Sequence, residues 1–330
     1  MIAGHDRAVE QFREAWDRRT LHHGWLIAGP RGVGKAHFAR LAALRLLCEA
    51  AGPPFDLPAL ETPEDHPIAS LVAAGSHPDM RWIERGVNEK TGAPNRNIKI
   101  DQVRALAEFM ALSPALSPWR VAVIDSADEL EGPAANALLK MLEEPPPNTV
   151  FFLVSHAPGR LLPTIRSRCR RVDFRALEDG AMTSVLERML PEVSKGERSR
   201  LVRLARGSVG RAMAFASLDL APLEQEALAI LREGDPDNAR RSALAAQLGR
   251  KASADRYSAF LDLLPSLVAG EARALGGGQQ ERALDAYARV RELAAIAPRL
   301  SLDPAATVFQ LGGILASVPS GFLEGAGSAR

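Results

Sequence analysis

The run Gly29-Pro30-Arg31-Gly32-Val33-Gly34-Lys35-Ala36 has the spacing of a phosphate-binding loop with one position changed. A Gly-x4-Gly-Lys loop turns backbone N–H groups toward phosphate oxygens, brings its lysine to the β- and γ-phosphates, and follows it with a Ser or Thr hydroxyl on Mg²⁺. Here Ala36 stands where the hydroxyl belongs, and a methyl cannot ligate a cation that demands oxygen. The loop keeps its amides and Lys35, so a weak, metal-free hold on ATP or ADP is compatible with it, whereas turnover is not expected. A second position agrees. Asp125 closes an apolar run, where a P-loop nucleotidase places an acid that helps to hold Mg²⁺, but the next residue is Ser126 rather than the Glu of ATPases that activate water there. An acidic strand end in a turn is the other reading of Asp125.

These residues need elements to hold them. Gly24 to Ala28 is a short apolar run entering the loop, and Ala36 to Glu49 leaving it repeats apolar residues at helical spacing. A helix from Asp6 to about Arg18, carrying Val9, Phe12 and Trp16, precedes both. Between Ala50 and Pro67 the chain is rich in proline without periodicity, which predicts a surface insertion. Ile98 to Ile100 alternates, Asp101 suits an N-cap, and Val103, Leu106 and Met110 stripe the following helix. Trp119 to Asp125 predicts a strand, Pro133 to Glu144 a helix with Pro133 at its first position, Thr149 to Ser155 another strand and Arg171 to Phe174 a short one. Apolar strands alternating with helices predict a parallel sheet covered on both faces. Beyond Phe174 only helical spacing remains, broken at Gly207, Gly210, Gly234 and Gly276 to Gly278, and Gly325 to Arg330 reads as a frayed tail.

At 330 residues, 46% hydrophobic and 25% charged, the chain has ample material for two or three domains. Its net charge of +1 provides no overall field to draw it to DNA or to an anionic membrane. Two cysteines, Cys48 and Cys169, are too few for a disulfide framework or a four-cysteine zinc site, and His22, His23, His66 and His77 lack ligand spacing. Neither a signal sequence nor a membrane span is read, so a cytoplasmic protein is expected.

Ile124-Asp125-Ser126-Ala127-Asp128, then Asn136 to Pro146 (NALLKMLEEPP), then Ser167-Arg168-Cys169, closely resemble the clamp-loader ATPases of the AAA+ class. Gly75-Ser76-His77-Pro78-Asp79 and Ala36 bring the chain nearest to their delta-prime family in bacterial DNA polymerase III. The resemblance is strong over residues 1 to 175 and rests on length and helical class beyond. It implies an AAA+ P-loop α/β domain over 1–175, a small helical lid over 176–235 and an all-α collar for oligomerisation over 236–330. It also implies that Arg168 reaches across a subunit interface to ATP bound by a neighbour, as a finger acting in trans. Read without the family, Arg168 is a surface arginine in a basic cluster with Arg166, Arg170 and Arg171. Ser155 corresponds to a polar sensor near the γ-phosphate, and the register leaves Arg211 or Gly210 at a second sensing position. Where most of the family carries a zinc module this chain has Cys48 alone, so no zinc is expected.

The implied role is that of a non-catalytic stator working with gamma/tau motor subunits and a delta subunit, and through the complex with a sliding clamp and primed DNA. An active gamma/tau-like motor ATPase and a lone P-loop enzyme such as a nucleotide kinase are the alternatives. Ala283, Ala286, Val290 and Leu293, with Val308, Leu311 and Leu315, stripe the last helices and suit either a collar contact or an internal core. The leucine-rich helix 134–142 fits core packing.

Overall fold

The computed structural model describes residues 2–87 and 95–319, which form two compact units, residues 1–181 and 182–330. The first unit begins with α1 (Asp6–Asp17), β1 (Gly24–Ala28) and α2 (Lys35–Ala51), followed by α3 (Pro67–Ala73), β2 (Met80–Ile83) and α4 (Ile100–Ala111). It continues through β3 (Arg120–Ile124), α5 (Gly132–Glu143), β4 (Thr149–Ser155), α6 (Pro163–Ser167) and β5 (Arg170–Asp173). The five strands pair in parallel in the order β2-β3-β4-β1-β5.

Alternation along the strands divides the core in two. Trp25, Ile27, Val121, Val123, Phe152 and Val154 face α1, α2 and α3, while Leu26, Ala28, Ala122, Ile124, Phe151 and Leu153 face α4, α5 and α6. Because both faces are covered, β1, β3 and β4 are buried at every residue, and this produces their unbroken apolar runs. The α5 residues Ala134, Ala135, Leu138 and Leu142 belong to the second layer, so the leucine-rich helix is core.

Several expectations need correction. α3 and the edge strand β2 carry no strong sequence signal; only Ile83 of β2 is buried. The proline-rich stretch forms no helix or strand before Pro67, yet it is more than a surface insertion. Leu60 is 3% exposed within the core, and Arg45 lies over the Phe55 ring while donating to the Glu61 carbonyl. Asp101 is not an N-cap: α4 starts one residue earlier, and Lys99 takes the cap position, its amide donating to Gln102 Oε1. Asp101 sits in the first turn, where its charge complements the helix dipole. Pro133 is the second residue of α5 rather than the first.

The second unit is helical throughout its described residues: α7 (Asp179–Met189, entering from the first unit), α8 (Lys195–Ala205), α9 (Val209–Ser217), α10 (Ala221–Glu233), α11 (Ala239–Leu248), α12 (Ala254–Ala274), α13 (Gly277–Leu300) and α14 (Pro304–Ala316). α12 runs along α13, while α14 packs on α10, α11 and α13. Gly210 and Gly278 lie inside helices, so they break nothing. Ala283, Ala286, Val290, Val308, Leu311 and Leu315 are buried and Leu293 half-buried, so these stripes lie largely in the internal core; an apolar stripe alone does not say which neighbour covers it. The tail from Gly325 lies outside the described residues.

The Gly75–Asp79 motif has a clear structural purpose. Asp79 is wholly buried, and its carboxylate accepts the amides of Ala115, Leu116 and Ser117 at 2.6, 2.7 and 2.8 Å, fixing the loop that leads into β3. His77 Nδ1 in turn accepts the Asp79 amide at 3.1 Å. Burial alone would raise the Asp79 pKa, but the three amides outweigh it and hold the carboxyl below its ordinary value. The stability this adds is present above the unfolded value of about 3.9 and is lost as pH falls through the folded one. Asp79→Asn should therefore cost about 2 kcal/mol at pH 7. The gap from the parent protein, read from urea midpoints, should shrink between pH 5 and pH 2; a constant gap would refute the account.

Candidate functional site

β1 delivers the chain to the loop at the carboxyl end of the sheet, beside β4 on one side and β5 on the other. Ligands of open parallel sheets collect at that end, where the strand order reverses. The Gly29 amide donates to the Ser155 carbonyl at 3.2 Å, tying the loop to the end of β4. Gly29 has φ 151, and a Cβ there would lie 2.2 Å from the Phe174 carbonyl oxygen, so no other residue fits without moving that strand. Gly32 and Gly34 have φ of 73 and 100, and Gly34 supplies the N-cap of α2 without a side chain to cover the helix amides.

Lys35 is buried at 2% exposure and turns back over its own loop, donating to the Gly29 carbonyl at 2.7 Å and to that of Pro30. Desolvation lowers its pKa to about 8, against the opposing pull of Asp128 and Asp125. Ala36 follows in the first turn of α2 and offers no oxygen.

Asp125 directly follows β3, its amide donating to the Ile83 carbonyl at 2.7 Å. Burial, reinforced by Glu84, raises its pKa despite Lys35. Ser126 is in the left-handed region at φ 66, and its Oγ lies 3.1 Å from His156 Nε2. Asp128 accepts the His156 amide at 2.8 Å. Burial works to raise Asp128, but the His156 amide and then the Ser155 hydroxyl prevail and keep its pKa low. His156 is pushed down to about 4, first by burial and then by Lys35 and Arg31. Glu129 pairs with Arg31 at 2.5 Å and Arg85 at 2.9 Å. Ser155, the last residue of β4, is wholly buried.

The structure thus brings Gly29, Gly32, Gly34, Lys35, Ala36, Asp125 and Ser155 to one end of the sheet. Sequence reasoning missed Asp128, Glu129 and His156, which surround them. Asp128 stands in the same short segment as Asp125, but His156 and Arg31 come from elements far apart in the chain.

Arg168 is elsewhere. It follows α6 and precedes β5, whose Arg170 pairs with Trp25 at the amino end of β1. At about 3.3 Å per residue, Arg168 and the loop are roughly 20 Å apart along the sheet. Gly24 packs closely there: a Cβ would lie 3.1 Å from both the Arg168 carbonyl oxygen and Cys169 Sγ. The guanidinium donates to the Thr164 carbonyl at 3.1 Å and pairs with Glu143 at 2.9 Å. Arg166 donates to the Pro158 carbonyl, Arg170 covers the Trp25 ring and Arg171 pairs with Asp173. Arg211 lies in α9 of the second unit, where its amide is capped by Ser208, and Gly210 precedes it.

The four histidines that lack ligand spacing, His22, His23, His66 and His77, have structural partners. His22 and His23 stack, with His23 Nε2 3.1 Å from the Leu142 carbonyl, His66 caps α3 and His77 accepts the Asp79 amide. Among the described residues, no group of three or more His, Cys, Asp and Glu side chains is placed to hold a metal ion.

The family model described as DNA polymerase III, delta subunit, matches residues 4–178, more than half of the 330 residues. The chain belongs to that family. The DNA polymerase III subunit delta' of Pseudomonas aeruginosa is 39% identical to this delta-family chain over 58% of its length and 55% of the relative's. The delta' subunit of Bacillus subtilis is 28% identical over 64% and 59% respectively. The tau subunit of Escherichia coli is 30% identical over 72% of this chain but 36% of its own length. The chain thus spans little more than half of its delta' relatives. No helix of the described residues in this family member is long and apolar enough to cross a membrane.

The loop offers an ammonium and glycine backbone but no hydroxyl at position 36, and what that means for a bound nucleotide is measurable. Any ADP bound by the isolated chain should show the same affinity with Mg²⁺ or with EDTA in calorimetry, while Ala36→Ser should introduce a Mg²⁺-dependent component. Affinity should also fall by up to about 10-fold between pH 7 and pH 9 as Lys35, with its pKa near 8, loses its proton. Tighter Mg²⁺-dependent binding by the parent protein would contradict the assignment.

Proposed function

We propose that this chain is a delta-prime-type stator of a DNA polymerase III clamp loader. It does not hydrolyse ATP itself but presents Arg168 in trans to ATP bound by a neighbouring motor subunit. The observation that carries this reading is the separation of the two sites across the sheet. Arg168 lies at the amino end and the loop at the carboxyl end, so the guanidinium cannot serve its own loop and is left on the flank of the unit. A planar, permanent cation is suited to offset charge that grows on a transferring phosphoryl group.

Ala36 and Ser126 speak against the motor reading, although relatives named tau are also similar. In the stator reading, the lid of residues 176–235 and the collar of 236–330 complete the first domain and join the ring. The partners are gamma/tau motor subunits and a delta subunit, with a sliding clamp and primed DNA engaged through the cytoplasmic complex. ATP in the adjoining subunit meets Arg168 and fixes one ring geometry, so coupling resides at the interface.

Purified alone, the chain should show no ATPase above background; turnover abolished by Lys35→Ala would favour the motor. In a complex reconstituted with motor and delta subunits, Arg168→Ala should leave assembly intact and lower the DNA-stimulated ATPase at least about 10-fold. Normal hydrolysis in that complex would remove Arg168 from the mechanism.

A further inference from the structure

Glu143 is the last residue of α5 and is followed by Glu144 at the C-cap. Two carboxylates at the carboxyl end of a helix face the negative pole of its dipole, an arrangement that costs helix stability. Glu143 does not pack in the core, since its side chain is 41% exposed. Its ion-pair partner is Arg168, at 2.9 Å.

The mounts on either side of this pair are firm. Leu142, next to Glu143, is 1% exposed, and its carbonyl lies 3.1 Å from His23 Nε2, which fixes the end of α5. On the arginine side, the Arg168 amide donates to the Ile165 carbonyl at 3.1 Å, and Ile165 is wholly buried. The guanidinium is then held at two points, by Nη2 on Glu143 and by Nη1 on the Thr164 carbonyl at 3.1 Å. That leaves the rest of its five donors for another acceptor. Its neighbours Arg166, Arg170 and Arg171 contact a carbonyl, a ring and an acid two residues away, so among the described residues none is paired with a carboxylate from a separate element.

We infer that Glu143 is a positioning residue for Arg168, holding the guanidinium in one orientation before a neighbouring subunit's nucleotide arrives. The inference rests on the finger reading above. A long side chain restrained in advance loses less conformational freedom when it meets its target, and orientation errors near 1 Å are costly to a transferring group. The benefit belongs to the transition state, so it should be read in kcat rather than in KM.

The test uses the reconstituted complex with Glu143→Ala, Glu143→Gln, Arg168→Ala and the double variant, recording kcat and KM for ATP in the presence of primed DNA. Glu143→Ala should lower kcat about 3- to 5-fold, the scale on which exposed ion pairs act, and leave KM unchanged. Glu143→Gln keeps an acceptor oxygen and should recover most of the loss. Adding Glu143→Ala to Arg168→Ala should change nothing further. A normal or raised kcat for Glu143→Ala, with Arg168→Ala still impaired, overturns the positioning role and leaves the finger standing. A further loss in the double variant also overturns it, because Glu143 would then act through something other than Arg168. Unimpaired Arg168→Ala defeats the underlying finger reading instead. Should Glu143→Ala not fold, Glu143→Asp decides the matter, since it keeps the charge but withdraws the carboxylate by one methylene: kcat falls if Glu143 positions Arg168, and an unchanged value overturns the role.

Discussion

The polarity of the parallel sheet is the constraint on which the rest of this molecule depends. Parallel strands give a sheet two chemically different ends, and β1 and β5 run side by side in the same direction. The loop Gly29–Ala36 must therefore emerge at the carboxyl end, while Arg168, placed before β5, must sit at the amino end. Buried apolar side chains on both faces hold this arrangement, with Trp25, Phe38 and Phe152 in one layer and Phe151, Leu138 and Ile165 in the other. Joint use of the two ends on one nucleotide then requires a second chain.

At the carboxyl end, burial sets the electrostatics. Lys35 is depressed and Asp125 raised because both lose hydration, so each becomes less willing to carry its charge. Asp128 stays low because an amide stabilises its charged form. The loop satisfies its lysine with its own carbonyls, and the largely exposed Arg31 pairs with Glu129 beside it. A hydroxyl at position 36 would have changed this balance by introducing a metal and its two charges. The methyl leaves a site governed by one buried ammonium.

Much of this was legible in the sequence because double-sided burial leaves a simple trace. β1 and β4 could be read residue for residue from apolar runs, since neither face of either strand meets water. β2 could not, because Met80-Arg81-Trp82-Ile83 lies at the sheet edge with only Ile83 fully buried. The Gly-x4-Gly-Lys spacing located the loop, but the pairs Ser126–His156 and Arg31–Glu129 join residues 30 and 98 apart, and spacing carries no information at such separations. The stripes of α13 and α14 were ambiguous for a different reason: period 3.6 marks a covered face without naming what covers it.

The close approach of Gly29 to Phe174 ties β5 to both ends. Phe174 follows that strand, donates its amide to the Ala28 carbonyl at 2.7 Å and leaves no space for a Cβ at Gly29; two residues before the strand's other end stands Arg168. β5 therefore meets the Gly29–Ala36 loop at one end and has Arg168 near the other. A side chain at Gly29 would have to displace the backbone that leaves this strand, whose other end begins two residues after Arg168.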